Sequence, residues 1–147
     1  MLRRVTTSLR KTFADFLRGA IKLLVTLKKA VLESILVYAK ACHPREGVLL
    51  LRGKTYKDKI VVDEVLLPPV SVKSWRSTSF PLSMLPIDLS IVGTAHSHPS
   101  GILTPSPTDL NNFYGKIMII VAYPYSSSKN LAVFDGNGKP IEYYVTK

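Results

Sequence analysis

An apolar, β-branched run at residues 89–95 leads straight into a pair of histidines in this 147-residue chain. The run predicts a buried strand, because residues of these types pack well on a covered, pleated surface. His96 and His98 follow it at once. Side chains two residues apart on a strand point to the same face, so we expect the two imidazoles to converge on one point.

A helix start is predicted shortly after the histidines. Ser106 is followed by Pro107, an order that is favoured at an N-cap and first helical position. Asp109 then lies in the first helical turn. Two imidazoles and one carboxylate would leave one position open on a tetrahedral zinc ion, and an open position is typical of a catalytic site. The same residues also allow a purely structural turn, in which Asp109 reaches back to the helix start in a capping box.

A glutamate lies just before the start of a second predicted strand. Residues 27–42 carry apolar side chains along one helical face, and Pro44 must end that helix. Glu46 and Gly47 follow, and residues 48–51 form a wholly aliphatic run. By position alone, Glu46 is an ordinary charged residue at a strand start.

Together these residues resemble the motif of the JAMM, or MPN-plus, zinc metalloprotease family. Its order is an upstream glutamate, His-x-His, seven residues, a serine, two residues and an aspartate. Glu46, His96, His98, Ser106 and Asp109 match that order without gaps. The resemblance implies Zn²⁺ held by His96, His98 and Asp109. It also implies that Glu46 acts as general base on the attacking water and that Ser106 donates a hydrogen bond to the oxyanion.

The resemblance covers residues 27–147 and is nearest to small archaeal-type members related to the proteasome-lid deubiquitinase. It implies an isopeptidase that cleaves after the C-terminal glycine of ubiquitin or a ubiquitin-like modifier, so conjugates of such modifiers are the expected partners. Two alternatives stay open. One is processing of a sulfur-carrier ubiquitin-like protein by the same mechanism; the other is a non-catalytic MPN scaffold, which is expected to have lost ligands that this sequence keeps.

The basic charge of the chain is concentrated at its N-terminus. The net charge is +10, of which residues 1–30, with eight basic residues and one acidic residue, contribute +7. Apolar residues recur there at three- and four-residue steps, which predicts a basic amphipathic helix over residues 1–26, outside the family domain. We expect it to pack on the domain or on a partner, in a homodimer or on the proteasome. Contact with an anionic membrane surface and a transit peptide are the alternatives.

Residues 31–147 carry only +3 and have no basic stripe interleaved with aromatic residues, so nucleic acid is not an expected partner. This holds although residues 98–101 (His-Pro-Ser-Gly) also occur in a DNA-repair-associated relative. Cys42 is the single cysteine, which excludes an intrachain disulfide and a thiolate zinc cluster and fits a reducing, cytoplasmic location. No uncharged apolar run approaches the ~18 residues of a membrane span.

The rest of the chain reads as further strands. Residues 70–80, with Trp75, are expected to form an edge strand, and Gly115 is expected to cap the helix that contains Asp109. Other strands are predicted at residues 60–66, 116–122, 131–134 and 141–146. The order of helix, strands, helix and strands predicts an α+β (mixed α/β) fold. The resemblance implies the cytidine-deaminase-like MPN sandwich, with a mostly antiparallel central sheet flanked by helices.

Overall fold

The computed structural model describes residues 22–69 and 87–147. Its elements, in chain order, are β1 (Leu24–Lys28), α1 (Lys29–Cys42), β2 (Val48–Thr55), β3 (Lys59–Leu66), β4 (Ile91–His98), α2 (Pro107–Asn111), β5 (Ile117–Ala122), a 3₁₀ turn (Ser128–Asn130), β6 (Leu131–Phe134), β7 (Pro140–Ile141) and β8 (Tyr143–Thr146). Within these ranges the strands form one sheet in the order β7-β6-β5-β4-β2-β3-β1-β8. The predicted α+β fold is confirmed.

The sheet mixes strand directions, with antiparallel pairs in the slight majority. Neighbouring strands are parallel in the pairs β1–β3, β1–β8 and β4–β5. They are antiparallel in the pairs β2–β3, β2–β4, β5–β6 and β6–β7. β4 lies near the middle, between β2 and β5, so its C-terminal end is supported on both sides.

The sheet curls so that its two edges approach each other. β7 and β8 lie at opposite edges, although only Glu142 separates them in the chain. Two Cα steps of about 3.8 Å each can span only a short gap, so the edges must come close. Near this junction the Tyr143 hydroxyl donates a hydrogen bond shared between two carbonyls, that of Ser128 at 3.0 Å and that of Leu131 at 3.3 Å.

Two apolar clusters of unequal size cover the faces of the sheet. The larger one lies between the sheet and α1, whose buried residues Val31, Ile35 and Ala39 recur at four-residue steps. The smaller one, on the other face, is built on Met118, Ile120 and Phe134. Alternation along β5 explains the division, because neighbouring residues of a strand point to opposite faces.

The predicted N-terminal helix is wrong at its C-terminal end. Residues 1–21 lie outside the described ranges, but Leu24–Lys28 form a strand that pairs in parallel with β3 and β8. α1 accordingly begins at Lys29 rather than at residue 27. Residues 24–26 therefore belong to the sheet of the domain, because their backbone hydrogen bonds go to two other strands.

The other predicted elements agree in most places. The strands predicted at 60–66, 116–122 and 131–134 are confirmed to within one residue. The strand predicted at 141–146 is instead divided between the two sheet edges at Glu142. The predicted edge strand at 70–80, with Trp75, lies outside the described ranges. Across 22–69 and 87–147, no helix has the length and apolar character that a membrane crossing needs.

Gly115 does not cap the second helix. α2 ends at Asn111, with Asn112 at the C-cap. Gly115 has a φ of +80° and lies against the backbone of β4, where an added Cβ would come within 2.7 Å of the Val92 carbonyl group. Glycine is therefore required at position 115 because the chain passes close to the backbone of β4, and not because a helix ends there.

Candidate metal centre

The end of β4 brings the two predicted histidine ligands to one carboxylate. His96 and His98 project from the same face of the strand, and both approach Asp109. His96 Nδ1 lies 3.5 Å from Asp109 Oδ1, and His98 Nε2 lies 3.2 Å from Asp109 Oδ2. All three side chains are buried. The structure thus joins three residues that the sequence separates by up to thirteen positions.

The start of α2 fixes the position of Asp109. Ser106 is the N-cap and Pro107 lies in the first turn, as predicted. Ser106 Oγ accepts a hydrogen bond from the Asp109 amide at 3.1 Å, and Asp109 Oδ2 accepts from the Ser106 amide at 2.7 Å and the Ser106 hydroxyl at 2.6 Å. The capping box is therefore formed, and the same carboxylate still faces both imidazoles. The structural and ligand interpretations of Asp109 are compatible.

Each imidazole is also held through its second nitrogen. His98 Nδ1 lies 2.9 Å from the Ile102 carbonyl, and His96 Nε2 lies 2.9 Å from Thr94 Oγ1. A carbonyl only accepts hydrogen bonds, so His98 Nδ1 carries a hydrogen. Nε2 then faces Asp109 as a donor when the ring is protonated and with a lone pair when the ring is neutral. Metal-binding histidines are oriented in this way by their outer partners.

Sequence reasoning missed both of these outer partners. Thr94 lies two residues before His96 on the same face of the strand, so period-2 spacing could have identified it. Ile102 contributes only a backbone carbonyl, which has no signature in the side-chain sequence.

Burial and charge act against each other on the three ionisable groups. Burial is the largest influence on His96 and lowers its pKa, although the charge of Asp109 opposes it. Burial also disfavours the charged form of His98, but hydrogen bonds to Asp109 and Ile102 and the negative charges of Asp109 and Glu46 outweigh it and raise the pKa. The pKa of Asp109 is held well below its usual range, because hydrogen bonds from His98 and Ser106 overcome the effect of burial. The site therefore favours a positive charge beside an ionised carboxylate.

The donor set fits zinc. Two imidazole nitrogens and a carboxylate oxygen are ligands that zinc takes in catalytic sites. Within the described part of the chain, no three His, Cys, Asp or Glu side chains already surround one point as a coordination sphere does. Instead, each imidazole faces a different oxygen of Asp109. Both imidazoles nevertheless face one carboxylate, so the three donors that zinc requires lie together.

Glu46 lies in the loop between α1 and β2, at the same end of the sheet. Its side chain is exposed. The next residue, Gly47, is tied to β4, because its amide donates to Ser97 Oγ at 2.7 Å and its carbonyl accepts from the Ser97 amide at 3.0 Å. The charge of Glu46 contributes to the raised pKa of His98. The glutamate therefore lies within electrostatic reach of the ligand set.

Comparison with known proteins gives consistent results. Residues 28–134 match the Prok-JAB family, described as prokaryotic homologues of the JAB domain. A probable metalloprotease from Haloferax volcanii is 36% identical over 104 residues, which are 66% of this chain and 64% of that relative. The match thus spans less than two thirds of the length of that relative.

Two solved structures share the fold at higher coverage. The crystal structure of a JAB1/MPN domain protein from Archaeoglobus fulgidus has a TM-score of 0.61 and 32% identity, covering 84% of this chain and 97% of that one. A structure described as JAMM, a metalloprotease-like zinc site in the proteasome and signalosome, has a TM-score of 0.59 and 31% identity, covering 84% and 99%. The matched family region, 28–134, contains Glu46, Ser106 and the three candidate ligands. The chain belongs to the Prok-JAB family of JAB1/MPN-domain proteins.

Proposed function

We propose that this protein is a zinc-dependent isopeptidase that hydrolyses the bond after the C-terminal glycine of ubiquitin or a ubiquitin-like modifier. Membership of the family supports the coarser statement that it is a metal-dependent hydrolase. The observation that carries the proposal is the meeting of His96, His98 and Asp109 at the sheet end where Glu46 lies.

The buried residues are assigned to metal binding. His96, His98 and Asp109 would hold the ion, and Thr94, Ile102 and Ser106 would keep these ligands in orientation. Bound zinc would lower the pKa of a coordinated water toward ~7 and polarise the scissile carbonyl. The complete donor set favours this activity over the non-catalytic scaffold, which would not need to keep the ligands.

Glu46 is assigned to proton transfer. Its carboxylate would take a proton from the attacking water and return it to the departing lysine amine. Its side chain is exposed, so a substrate can reach it, whereas its backbone is fixed through the bonds of Gly47 to β4. An exposed acid–base group on a fixed backbone suits a residue that must serve first the water and then the amine.

Ser106 is assigned to the oxyanion that develops on the scissile carbonyl. Its hydroxyl carries one hydrogen, which is donated to Asp109 Oδ2 in the resting arrangement. Donation to the substrate therefore requires this hydrogen to turn away from Asp109. The Ser106 amide, which also binds Asp109 Oδ2 at 2.7 Å, would keep the ligand in place meanwhile.

The surroundings of the site favour an extended peptide as substrate. The His98 carbonyl accepts from the amides of Gly101 and Tyr123 at 3.1 and 3.0 Å, which holds two loop segments at the mouth of the site. Ile102 and Tyr123 are 58% and 52% exposed there. A glycine-rich tail carries no bulky side chains, so it can pass close to such a rim. Conjugates of a ubiquitin-like modifier are therefore the proposed partners.

The deciding experiment compares Glu46→Gln with wild type on a ubiquitin-like protein joined through its C-terminal glycine to a lysine side chain. We expect the variant to cleave about 10²–10⁴-fold more slowly while binding zinc equally, because general-base catalysis contributes that much. Glu33→Gln is the matched control, since Glu33 is exposed on α1 and pairs with Lys29 of the same helix. A chelator-treated sample should be inactive.

The outcomes separate the alternatives. Cleavage of a linear fusion but not of the isopeptide conjugate would favour processing of a sulfur-carrier modifier. Stoichiometric zinc without hydrolysis of either substrate would favour a scaffold. Equal rates for Glu46→Gln and wild type would refute the role given to Glu46.

A further inference from the structure

Ser97 stands between the two candidate histidine ligands and points to the other face of β4. It is buried, and it binds both backbone polar groups of Gly47. Its Oγ accepts from the Gly47 amide at 2.7 Å, and its amide donates to the Gly47 carbonyl at 3.0 Å. One residue thus links the strand that carries the histidines to the peptide that follows Glu46.

Gly47 is also confined from the opposite side, by α1. An added Cβ would lie 2.7 Å from Tyr38 Cε1 and 2.8 Å from Cys42 Sγ, so only glycine fits this approach. The Tyr38 hydroxyl donates to the Val48 carbonyl at 3.3 Å. Gly47 therefore cannot move toward the helix, and Ser97 prevents it from moving away.

Tyr125 lies beside this arrangement with two unusual properties. Its hydroxyl is buried and is the one buried side-chain group of the described residues that has no hydrogen-bond partner. Its φ of +56° lies in the left-handed region, which non-glycine residues rarely adopt. Its ring packs edge-on against His43 and Tyr123, at 5.9 and 5.8 Å between centroids. Val121 of β5 pairs with Ser97 of β4, and the Tyr125 amide donates to the Ala122 carbonyl at 3.0 Å in the turn that follows, so the backbone brings Tyr125 to the end of β4 that carries Ser97. Tyr125 packs in the apolar cluster on the α1 face, to which Ser97 also points. Burial raises the pKa of Tyr125, and the Ser97 hydroxyl acts in the opposite direction.

Each of these two hydroxyls needs what the other offers. Ser97 Oγ has one hydrogen and uses a lone pair for the Gly47 amide, so its hydrogen needs a buried acceptor. Tyr125 Oη is an acceptor without a partner. Donation from Ser97 to Tyr125 would give the Ser97 hydrogen an acceptor and the Tyr125 oxygen a hydrogen-bond partner. It would also hold the lone pair of Ser97 toward the Gly47 amide.

We propose that Ser97 and Tyr125 form a positioning pair for Glu46. Tyr125 orients the Ser97 hydroxyl, Ser97 fixes Gly47, and Gly47 sets the backbone of Glu46 relative to His96 and His98. Neither residue touches the reacting atoms. The catalytic consequence of the pair rests on the function proposed above, whereas the hydrogen-bond chain itself does not.

The kinetic test uses Ser97→Ala, Ser97→Thr, Tyr125→Phe and the double variant Ser97→Ala/Tyr125→Phe, each loaded with zinc. We expect Ser97→Ala to lower kcat about tenfold or more with KM within about twofold, because misplacing a catalytic group mainly costs rate. Ser97→Thr, which keeps the hydroxyl, should restore most of the rate. Tyr125→Phe should have a smaller effect, and the double variant should equal Ser97→Ala, since Tyr125 acts through Ser97.

The second readout does not depend on activity. In metal-free, ¹⁵N-labelled protein, hydrogen exchange of the Gly47 amide should quicken in Ser97→Ala and Tyr125→Phe. It should stay unchanged in the control Ser127→Ala, which removes an exposed hydroxyl that accepts from the Lys129 amide. Tyr125→Phe removes a single oxygen, so it keeps the test open if Ser97→Ala does not fold.

The results separate this proposal from the proposed function. An unchanged kcat in Ser97→Ala, or additive effects in the double variant, would overturn the positioning pair. If the wild type cleaves no substrate, the proposed function fails and Gly47 exchange decides the pair alone. Exchange that is insensitive to both variants would then refute it.

Discussion

The two faces of the sheet differ in what they contain. The face toward α1 is a large and continuous apolar core that draws side chains from β1 to β6 and from the helix. The face toward α2 has a small apolar cluster around Met118, Ile120 and Phe134, and the buried polar side chains of His96, His98 and Asp109 adjoin it. β4 contributes to both faces, because its alternate residues point in opposite directions.

The face toward α1 is therefore expected to supply most of the stability, and the face toward α2 most of the chemistry. Burial of aliphatic side chains stabilises the fold in proportion to the area removed from water. Buried ionisable groups contribute little net stability, because desolvation offsets their attraction. We therefore expect changes on the α1 face to act on unfolding and changes on the site face to act on zinc and rate.

The largest expected effect is the loss of function in Asp109→Asn. The amide can still accept from the Ser106 amide, so the start of α2 should persist, but the anionic ligand is gone. We expect zinc to fall from one ion per chain to almost none and hydrolysis to fall on the order of 10³-fold or more, since the metal contributes several kcal/mol. Metal analysis and initial rates measure both. Retention of stoichiometric zinc would break the assignment of Asp109 as a ligand.

The second-largest expected effect is on the free energy of unfolding, and it is tested by the same isoleucine-to-alanine substitution on each face of the sheet. Ile35→Ala removes a buried side chain between α1 and the sheet, and Ile120→Ala removes one beside His96. We expect losses of about 2–5 kcal/mol in the free energy of unfolding, with Ile35 nearer the upper end because it belongs to the larger apolar cluster, between α1 and the sheet. Ile120→Ala should also weaken zinc binding, measured by competition with a chelator. Weaker zinc binding in Ile35→Ala alone would reverse the comparison.

The smallest expected effect is on the free energy of unfolding at alkaline pH, and it concerns Tyr38 on the α1 face. Burial, reinforced by the neighbouring Cys42 thiol, raises the pKa of Tyr38 to about 12. The folded state therefore favours the neutral phenol, so this contribution to stability is complete below about pH 10, the ordinary tyrosine pKa, and is lost as pH rises through 12. Tyr38→Phe should flatten part of that alkaline fall in urea unfolding. Identical slopes for variant and wild type between pH 10 and 12 would contradict the raised pKa.

The elements that local chemistry specifies were predicted well. Ser106, Pro107 and Asp109 encode a helix start in adjacent residues, and the capping box forms as expected. Apolar runs such as residues 131–134 are most stable when they are covered in a sheet, and this one forms the largely buried strand β6. The histidine pair required only the period-2 geometry of a strand.

The elements that depend on distant partners were predicted poorly. Residues 24–28 satisfied a helical apolar spacing, yet they form β1, because β3 and β8 supply backbone hydrogen bonds on both sides. The alternation and β-branched residues of Leu24-Val25-Thr26-Leu27 are the local signal that indicated a strand. The division of the last strand at Glu142 had no local signal, since it follows from the closure of the whole sheet.

The sequence by itself determined the candidate ligands, their spacing on β4 and α2, and the family to which the chain belongs. Only the tertiary structure decided how Glu46 is held near those ligands, through the contact of Gly47 with Ser97 and α1. It likewise decided which carbonyl and hydroxyl orient each imidazole. The physical reason is range: strand alternation and helix capping act over a few residues, whereas Ser97 and Gly47 meet across fifty residues of chain.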